Sequence, residues 1–226
     1  MTMSKESRIF CIIPAYNEEK SIGEVLKSLN RFGYRAVVVD DGSRDRTAAI
    51  ARENGADVLS HLVNRGQGAA LETGNSFALA LGAYILVHFD ADGQFLAEEI
   101  KDLVRPIIDG EADAVFGSRF LGKKSEMPWF KENFIFPLAG FINRAVFGIR
   151  MTDPQSGFRA LSREAASNIH IENDKMAHCS EILIKVFRRG YRVKEVPITV
   201  IYNEFGQRLG GGFKILKDLF ISRLMN

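Results

Sequence analysis

The chain has 226 residues, of which 46% are hydrophobic and 26% charged, a globular composition that excludes a disordered, collagen-like or coiled-coil protein. Its length suits one large α/β domain, which can bury its core without disulfides or a structural metal. The net charge of +2 excludes a surface built throughout for nucleic acid, and the two cysteines, Cys11 and Cys179, form neither a disulfide framework nor a metal-ligand pattern.

In the first half of the chain, short runs rich in β-branched residues alternate with longer helical patterns. We predict strands at 8–13, 35–40, 56–60, 84–89 and 112–117, and helices at 18–32, 45–54, 66–81 and 96–108. The run RAVVVD is apolar almost throughout, as expected of a strand that is covered on both faces. This alternation predicts a mainly parallel sheet sandwiched by helices.

The second half has a different pattern. A segment at 127–150 is rich in Phe and contains the one Trp, which suits either an interfacial helix with aromatic anchors or a buried amphipathic helix. After it we expect a loop at 152–160, helices at 162–169 and 180–189, strands within 191–202, a flexible loop at 206–212 and an amphipathic helix at 213–225. Since no repeat or linker interrupts the chain, we expect one domain over residues 1–226.

The segment FDADGQF follows a predicted strand and carries the strongest chemical signal. In extended chain, Asp90 and Asp92 point to the same side, so both carboxylates can face one ion. Mg²⁺ and Mn²⁺ prefer oxygen ligands of this kind together with substrate phosphates, and Gln94 adds a neutral oxygen. A metal here would offset the charge of a departing diphosphate. The alternative is a polar turn that caps the next helix.

Two further strand ends belong to the same edge of the predicted sheet. In VVVDDGSRDRT, Asp41 can accept hydrogen bonds from a nucleobase or a ribose, and the alternative is a helix cap through Ser43 or Asp45. In IIPAYNEE, Tyr16 can lie against a nucleobase, while Glu18 favours the positive end of a helix.

The segment NRGQGAALETG places glycines in front of a predicted helix, where backbone N–H groups could meet a phosphate. It matches neither the phosphate-binding loop of nucleotide hydrolases nor the dinucleotide fingerprint, because Leu71 occupies the place of the third glycine. A closely packed helix start explains the glycines equally well.

Together these segments resemble the family-two glycosyltransferases of the GT-A fold, specifically the branch of the dolichol-phosphate mannosyltransferases and related polyprenyl-phosphate sugar transferases. The matching segments follow one another along nearly the whole chain: IIPAYNEE, VVVDDGSRDRT, GQGAALETG, FDADGQF, FGSRF, DPQSGFRA and EVPITVIY. The resemblance implies a nucleotide-sugar and metal-binding half at 1–120, and an acceptor-side half at 121–226 that includes the amphipathic C-terminal helix.

The resemblance also implies roles for particular positions. The residues that match nucleotide-sugar contacts of the family are Pro14, Tyr16, Glu18, Asp41, Arg208 and Lys214. Asp90, Asp92 and Gln94 match its metal-binding segment, with Asp90 also near the donor sugar. Arg119 matches an arginine of the phosphate-rich centre, where its planar fork suits bidentate phosphate binding, although a structural salt bridge is the alternative.

Two segments depart from the family pattern. In RLGGGFK, Phe213 stands where the family's loop over the donor diphosphate has a serine. Close relatives of the dolichol-phosphate mannosyltransferases carry W-x-x-x-R-x-x-x-S facing the lipid phosphate, whereas Trp129 is followed here by Asn133 and Pro137 in those places. These departures bear on the donor loop and on the acceptor.

The acceptor determines which catalytic groups are needed. Displacement at the anomeric carbon with inversion requires a nucleophile opposite the leaving diphosphate, and a lipid monophosphate is already anionic, so it needs positioning and charge screening rather than a base. A sugar hydroxyl would need a general base, for which Asp153 and Glu181 are the candidates. The alternatives are a turn-forming Asp153 and a solvated or paired Glu181.

The sequence thus predicts an inverting, Mg²⁺- or Mn²⁺-dependent hexosyltransferase that moves a sugar from a UDP- or GDP-sugar to a polyprenyl phosphate, dolichyl or undecaprenyl. The alternatives are the same donor chemistry with a glycan or another soluble acceptor, and a non-catalytic nucleotide-binding regulatory protein. Nucleic acid is not an expected partner, and nothing in the sequence identifies a separate membrane partner.

Charge and hydropathy give an expectation about location. Residues 185–226 hold 9 Lys and Arg against 3 Asp and Glu, whereas the first 184 hold 21 against 25. The basic end is either a solvated tail or a surface for phosphates or a membrane. No run reaches the ~20 apolar residues of a spanning helix, and MTMSKESRIF is not typical of a signal peptide. We expect a cytoplasmic protein, peripheral on the cytoplasmic membrane face.

Overall fold

A computed structural model of the chain describes residues 8–121, 151–174 and 177–201. The strands are β1 (Ile9–Ala15), β2 (Arg35–Asp40), β3 (Asp57–Ser60), β4 (Ile85–His88), β5 (Ala114–Ser118), β6 (Arg159–Ser162) and β7 (Val193–Pro197). The helices are α1 (Ile22–Arg31), α2 (Thr47–Glu53), α3 (Gln67–Ala80), α4 (Ile100–Ile108), α5 (Arg163–Asn168) and α6 (His178–Arg188), and a 3₁₀ turn at Ala97–Glu99 precedes α4.

The seven strands form one sheet in the order β3-β2-β1-β4-β6-β5-β7. All neighbours pair in parallel except β6, which runs antiparallel to both β4 and β5. Six strands therefore end at one edge, called here the carboxyl edge. The chain moves outward from β1 to β3 and then returns to β4 on the other side of β1, and open sheets bind their ligands where the strand order reverses in this way.

Helices cover both faces of the sheet, as the apolar strand patterns predict. In β1, Ile9, Cys11 and Ile13 pack in a core with α1, α2 and α4. The intervening Phe10 and Ile12 pack in a second core with α3, α5 and α6. The alternating pattern of β1 thus supplies both cores, and the observed fold is the predicted α/β sandwich in a single domain.

The structure corrects three local predictions. The loop expected at 152–160 ends in β6, a short strand in the middle of the sheet. The helix expected from residue 18 begins at Ile22, because Glu18 opens a turn in which its carbonyl accepts the N–H groups of Ser21 and Ile22. The helix expected from residue 96 begins with the 3₁₀ turn.

Other expectations lie wholly or partly outside the described residues. The Phe-rich segment at 127–150, the loop at 206–212 and the helix at 213–225 fall there. None of the helices within 8–121, 151–174 and 177–201 combines the length and the apolar character that a bilayer crossing requires.

Candidate active site at the carboxyl edge

The loops that follow β1 and β2 are tied to each other by reciprocal hydrogen bonds. Asn17, with a positive φ of 58°, donates its N–H to Ser43 Oγ at 2.9 Å and accepts the N–H of Arg44 on Oδ1 at 2.9 Å. The N–H of Glu18 is donated to Thr47 Oγ1 at 2.8 Å. Ser43 therefore joins two loops instead of capping α2, and the edge of the sheet beside β1 and β2 is held as one unit.

The nucleotide-binding residues predicted in the first half meet at this edge. Pro14 lies in β1, Tyr16 follows it with an exposed ring, and Glu18 accepts the hydroxyl of Ser21 at 2.7 Å. Asp41 follows β2, the strand beside β1. Arg208 and Lys214, the two predicted nucleotide-sugar contacts of the second half, lie outside the described residues.

Asp41 holds the loop that leads from β3 to α3, residues 61–66, called here the β3–α3 loop. Its Oδ1 accepts the N–H of Arg65 at 2.9 Å and lies 2.7 Å from His61 Nδ1, and its Oδ2 accepts the N–H of Gly66 at 2.7 Å. With 3% of its surface exposed, this carboxylate is largely engaged within the protein. A nucleobase that contacts Asp41 would therefore bind a carboxylate that also holds the β3–α3 loop.

The start of α3 is closely packed. The N–H of Gly68 is donated to Asp174 O at 2.9 Å, and a Cβ on Gly68 would lie 2.0 Å from Asn173 O. Of the two explanations for the glycines in NRGQG, the structure favours close packing over an open phosphate cradle. The neighbouring Gln67 reaches into the crevice and donates from Nε2 to Asp90 Oδ1 at 3.1 Å.

The paired carboxylates follow β4 at the point where the strand order reverses. Burial, followed by the charge of Asp92, raises the pKa of Asp90 to about 7. Burial also raises the pKa of Asp92, whose Oδ1 accepts the N–H of Gln94 at 3.0 Å. Gly157 approaches Asp90 so closely that a Cβ there would lie 3.1 Å from Oδ2. Two half-buried carboxylates that resist ionisation together are a donor set that a cation would stabilise.

Within the described ranges, no group of three or more His, Cys, Asp or Glu side chains is placed to hold a metal ion. Neutral oxygens or a bound substrate could complete the ligand set of a metal at Asp90 and Asp92. Mg²⁺ is commonly held in this way, by one or two carboxylates with phosphate oxygens. The residues present fit a hard divalent cation that binds together with a diphosphate.

Arg119, directly after β5, forms a bidentate ion pair with Asp153. Its Nε and Nη2 donate to the two carboxylate oxygens at 2.6 and 2.7 Å, and its backbone N–H donates to Oδ2 at 3.2 Å. Asp153 is 0% exposed. The salt bridge, left as an alternative by the sequence, is thus present, and Asp153 is turned towards Arg119 and away from solvent.

Glu181, the second predicted base, is also engaged. It accepts the backbone N–H groups of Glu172 and Asn173, each at 2.9 Å, and forms an ion pair with Lys185 at 2.7 Å. Burial opposes its ionisation, but these hydrogen bonds outweigh burial and lower the pKa of Glu181. It fastens the segment before α6.

Three further polar residues shape the site, although the sequence predicts no role for any of them. Glu195 in β7 accepts the N–H groups of Thr152 and Asp153 and so fixes the segment that carries Asp153. Gln67 orients Asp90, and His61 bridges Asp41 and Thr73. Each is a polar residue whose partner lies far away in sequence, so only the folded chain reveals the pairing.

A parallel-centred α/β sheet with paired carboxylates at its reversal point agrees with the GT-A fold that the sequence resemblance implies. The chain belongs to glycosyl transferase family 2, whose family model matches residues 10–169. It is similar to a UDP-N-acetylglucosamine–dolichyl-phosphate N-acetylglucosaminyltransferase of Methanococcus voltae, at 36% identity over 96% of each chain. It is also similar to a polyprenol monophosphomannose synthase of Mycolicibacterium smegmatis, at 30% identity over 97% of this chain and 87% of the relative.

Solved structures show the same fold. Glucosyl-3-phosphoglycerate synthase from Mycobacterium tuberculosis, in complex with Mn²⁺ and UDP-glucose, superimposes with a TM-score of 0.72 at 23% identity, over 99% of this chain and 84% of that one. The predicted family, fold class and enzyme class are therefore confirmed.

Proposed function

We propose that this glycosyltransferase moves a sugar from a nucleoside diphosphate to a polyprenyl phosphate, with inversion at the anomeric carbon, at the cytoplasmic face of a membrane. One observation carries the choice of acceptor: both carboxylates predicted as general bases are committed to structural partners, Asp153 to Arg119 and Glu181 to Lys185. An acceptor hydroxyl needs a base, whereas a phosphate monoester is already anionic near neutral pH. The acceptors in the relatives' names, dolichyl phosphate and polyprenol phosphate, support the same choice.

On the donor side, Asp90 and Asp92 would hold Mg²⁺ or Mn²⁺, with Gln94 as a neutral donor. When bound, the metal supplies positive charge that offsets the charge developing on the leaving diphosphate. Gln67 and Gly157 fix the orientation of Asp90 beside the donor sugar. The donor would contact the protein through Pro14, Tyr16, Glu18 and Asp41, and through Arg208 and Lys214 of the second half.

The transfer is a single displacement. An oxygen of the acceptor phosphate forms a bond to the anomeric carbon while the bond from that carbon to the diphosphate oxygen breaks, and the electron pair leaves with the nucleoside diphosphate. No proton has to be removed from the acceptor. Arg119, which follows β5 and is held by Asp153, would contribute part of the charge screening that the phosphate groups at this edge require.

The test is turnover with a panel of UDP- and GDP-sugars, with Mn²⁺ or Mg²⁺, in the presence and absence of a short polyprenyl phosphate. We expect lipid-stimulated transfer from one donor, loss of transfer with a chelator, and a product whose anomeric configuration is opposite to that of the donor. Asp92→Asn should lose metal-dependent turnover, because it removes one of the two ligand charges, whereas Asp109→Asn, an exposed carboxylate beyond α4, should not.

Metal-dependent donor consumption that is indifferent to the lipid would overturn the acceptor and point to a soluble one. Full activity of Asp92→Asn would overturn the metal site. Nucleotide binding without consumption of any donor would overturn catalysis itself.

A further inference from the structure

The β3–α3 loop presents two adjacent apolar side chains to solvent. Leu62 is 101% exposed and Val63 is 66% exposed, the two highest values among the large hydrophobic residues exposed in the described part of the chain. Single exposed apolar residues are common on protein surfaces. Two adjacent apolar side chains at the tip of a loop, however, pack against nothing in the isolated protein. Such a pair gains apolar burial only by contact with another body.

The backbone that carries this pair is firmly held. The N–H of His61 is donated to Asp40 O at 2.9 Å, and the N–H groups of Arg65 and Gly66 are donated to Asp41. Gly42 packs against the loop from below, since a Cβ there would lie 2.8 Å from the backbone of Val63. The tip is therefore preorganised, and inserting it into a partner requires little further ordering of the chain.

The loop projects from the carboxyl edge, the edge that holds the paired carboxylates. Arg65 lies within this loop and Arg44 in the neighbouring loop after β2; both are exposed, and within the described ranges neither guanidinium forms an ion pair. The nearby acidic groups Asp45 and Glu19 accept backbone N–H groups of the adjoining loops. The tip thus combines apolar side chains with cations, the combination that binds an anionic membrane interface.

We infer that Leu62 and Val63 insert into an anionic lipid bilayer and turn the carboxyl edge towards its surface. This inference rests on the polyprenyl phosphate acceptor proposed above, whose phosphate lies at that surface. A protein partner fits the tip less well, because two side chains cover far less than the roughly 800 Å² per partner that a stable protein interface buries.

The experiment compares vesicle binding of the wild-type chain with that of the double variant Leu62→Asp/Val63→Asp, using phosphatidylcholine vesicles with and without phosphatidylglycerol. We expect the double variant to bind the anionic vesicles about tenfold more weakly or worse, because it loses the apolar insertion and gains charge repulsion. Wild-type binding should weaken with salt, because part of it comes from Arg44 and Arg65.

The matched control is Phe32→Asp/Leu81→Asp. These residues are 46% and 44% exposed, and they end α1 and α3 at the opposite edge of the sheet. The control therefore makes the same charge change and removes the same number of exposed apolar side chains, but it should leave vesicle binding unchanged. Equal loss in both double variants would mean that charge alone acts and would overturn the inference, as would wild-type-like binding by the Leu62→Asp/Val63→Asp variant.

A second readout separates this inference from the proposed function. Transfer to a short, water-soluble polyprenyl phosphate without vesicles should be the same for wild type and the Leu62→Asp/Val63→Asp variant. Absence of transfer by both, with the difference in vesicle binding intact, would reject the proposed acceptor and keep the membrane contact. Transfer by both proteins, with equal vesicle binding, would support the proposed acceptor and reject the membrane contact of Leu62 and Val63.

Discussion

At the scale of single residues, the Arg119–Asp153 pair combines a structural and a functional role. Asp153 is fully buried and its two oxygens receive a planar fork, so its charge is compensated only while Arg119 is present. Arg119 itself stands at the carboxyl edge after β5. The same contact therefore holds the segment after residue 150 to the sheet and fixes the orientation of the Arg119 guanidinium at this edge.

We expect Arg119→Ala to lower the free energy of unfolding by about 3–5 kcal/mol, because it leaves a buried carboxylate without its partner. The double variant Arg119→Ala/Asp153→Ala should lose less than the sum of the two single variants, and urea unfolding of all four proteins gives this coupling energy. The control cycle is the exposed pair Arg35 and Asp57, at 2.8 Å, whose coupling should stay below about 1 kcal/mol. A stable Arg119→Ala protein that has lost activity would contradict the structural role and leave only phosphate binding.

The sequence identifies site residues whose chemistry is local. The sequence identifies Asp90 and Asp92 as candidate metal ligands because the two carboxylates follow a strand in one extended segment. The ion pair between Asp153 and Arg119 cannot be predicted in the same way, because 34 residues separate the two. Whether a carboxylate is a base or half of an ion pair depends on its partner, and a single sequence does not pair distant residues.

At the scale of elements, α3 packs closely against the sheet. Gly74, inside the helix, faces β1 and β2: a Cβ there would lie 2.4 Å from Ile12 Cγ2 and 3.1 Å from Val39 Cγ2. The close packing at Gly74 sets the distance between α3 and the sheet. Gln67, in the first turn of α3, donates a hydrogen bond to Asp90. The packing of one glycine thus bears on the geometry of the crevice.

Gly74→Ala should lower the free energy of unfolding by about 1–3 kcal/mol, because the added methyl overpacks two β-branched side chains that are fully buried. The matched control is Gly23→Ala in α1, where the nearest atom, Ile50 Cγ2, would lie 3.4 Å from the new Cβ. There the better helix propensity of Ala should make the change neutral or stabilising by about 0.5–1 kcal/mol. Thermal unfolding of both variants measures the difference, and equal stability would show that α3 can move away from the sheet.

The strand β2 agrees with its prediction residue for residue, because its apolar run is almost unbroken. The strand β6 was not predicted, because its four residues, RALS, include a charged side chain and follow a turn. It is a strand because β4 and β5 both offer it a backbone to pair with. The pairing register of β6 with β4 places Arg159 opposite His88, inside the protein. The sequence pattern of β6 does not indicate that this arginine is buried.

At the scale of the whole molecule, the buried charge of Arg159 is part of the stability of the fold. Arg159 is 1% exposed and is the largest fully buried side chain among the described residues. Its Nη2 lies 3.1 Å from Cys179 Sγ, and His178 Nε2 lies 3.4 Å from the same sulfur. Burial opposes ionisation of this thiol, but the charge of Arg159 and the hydrogen bond from His178 outweigh it and lower the pKa of Cys179 to about 6. The buried guanidinium thus favours the thiolate form of Cys179.

This pairing predicts how the stability of the whole protein depends on pH. The folded pKa of Cys179, about 6, lies below its ordinary value of 9.0, so the unfolded chain binds more protons between these two values. The stabilisation from the thiolate should be complete above the unfolded pKa and be lost as the pH falls through the folded one. Measured as wild type minus Cys179→Ala by urea unfolding, the difference should shrink by about 1–3 kcal/mol across this window as the pH falls.

The matched control is the other buried cysteine, Cys11, in β1. Burial alone raises the pKa of Cys11, so its thiol is protonated in the folded state throughout the window. The stability difference for Cys11→Ala should therefore be flat in the lower part of the window and fall only as the pH rises towards the ordinary thiol pKa, opposite in sign to Cys179. Parallel pH profiles for the two variants would mean that Cys179 is a neutral thiol, and that the charge of Arg159 is balanced by another group.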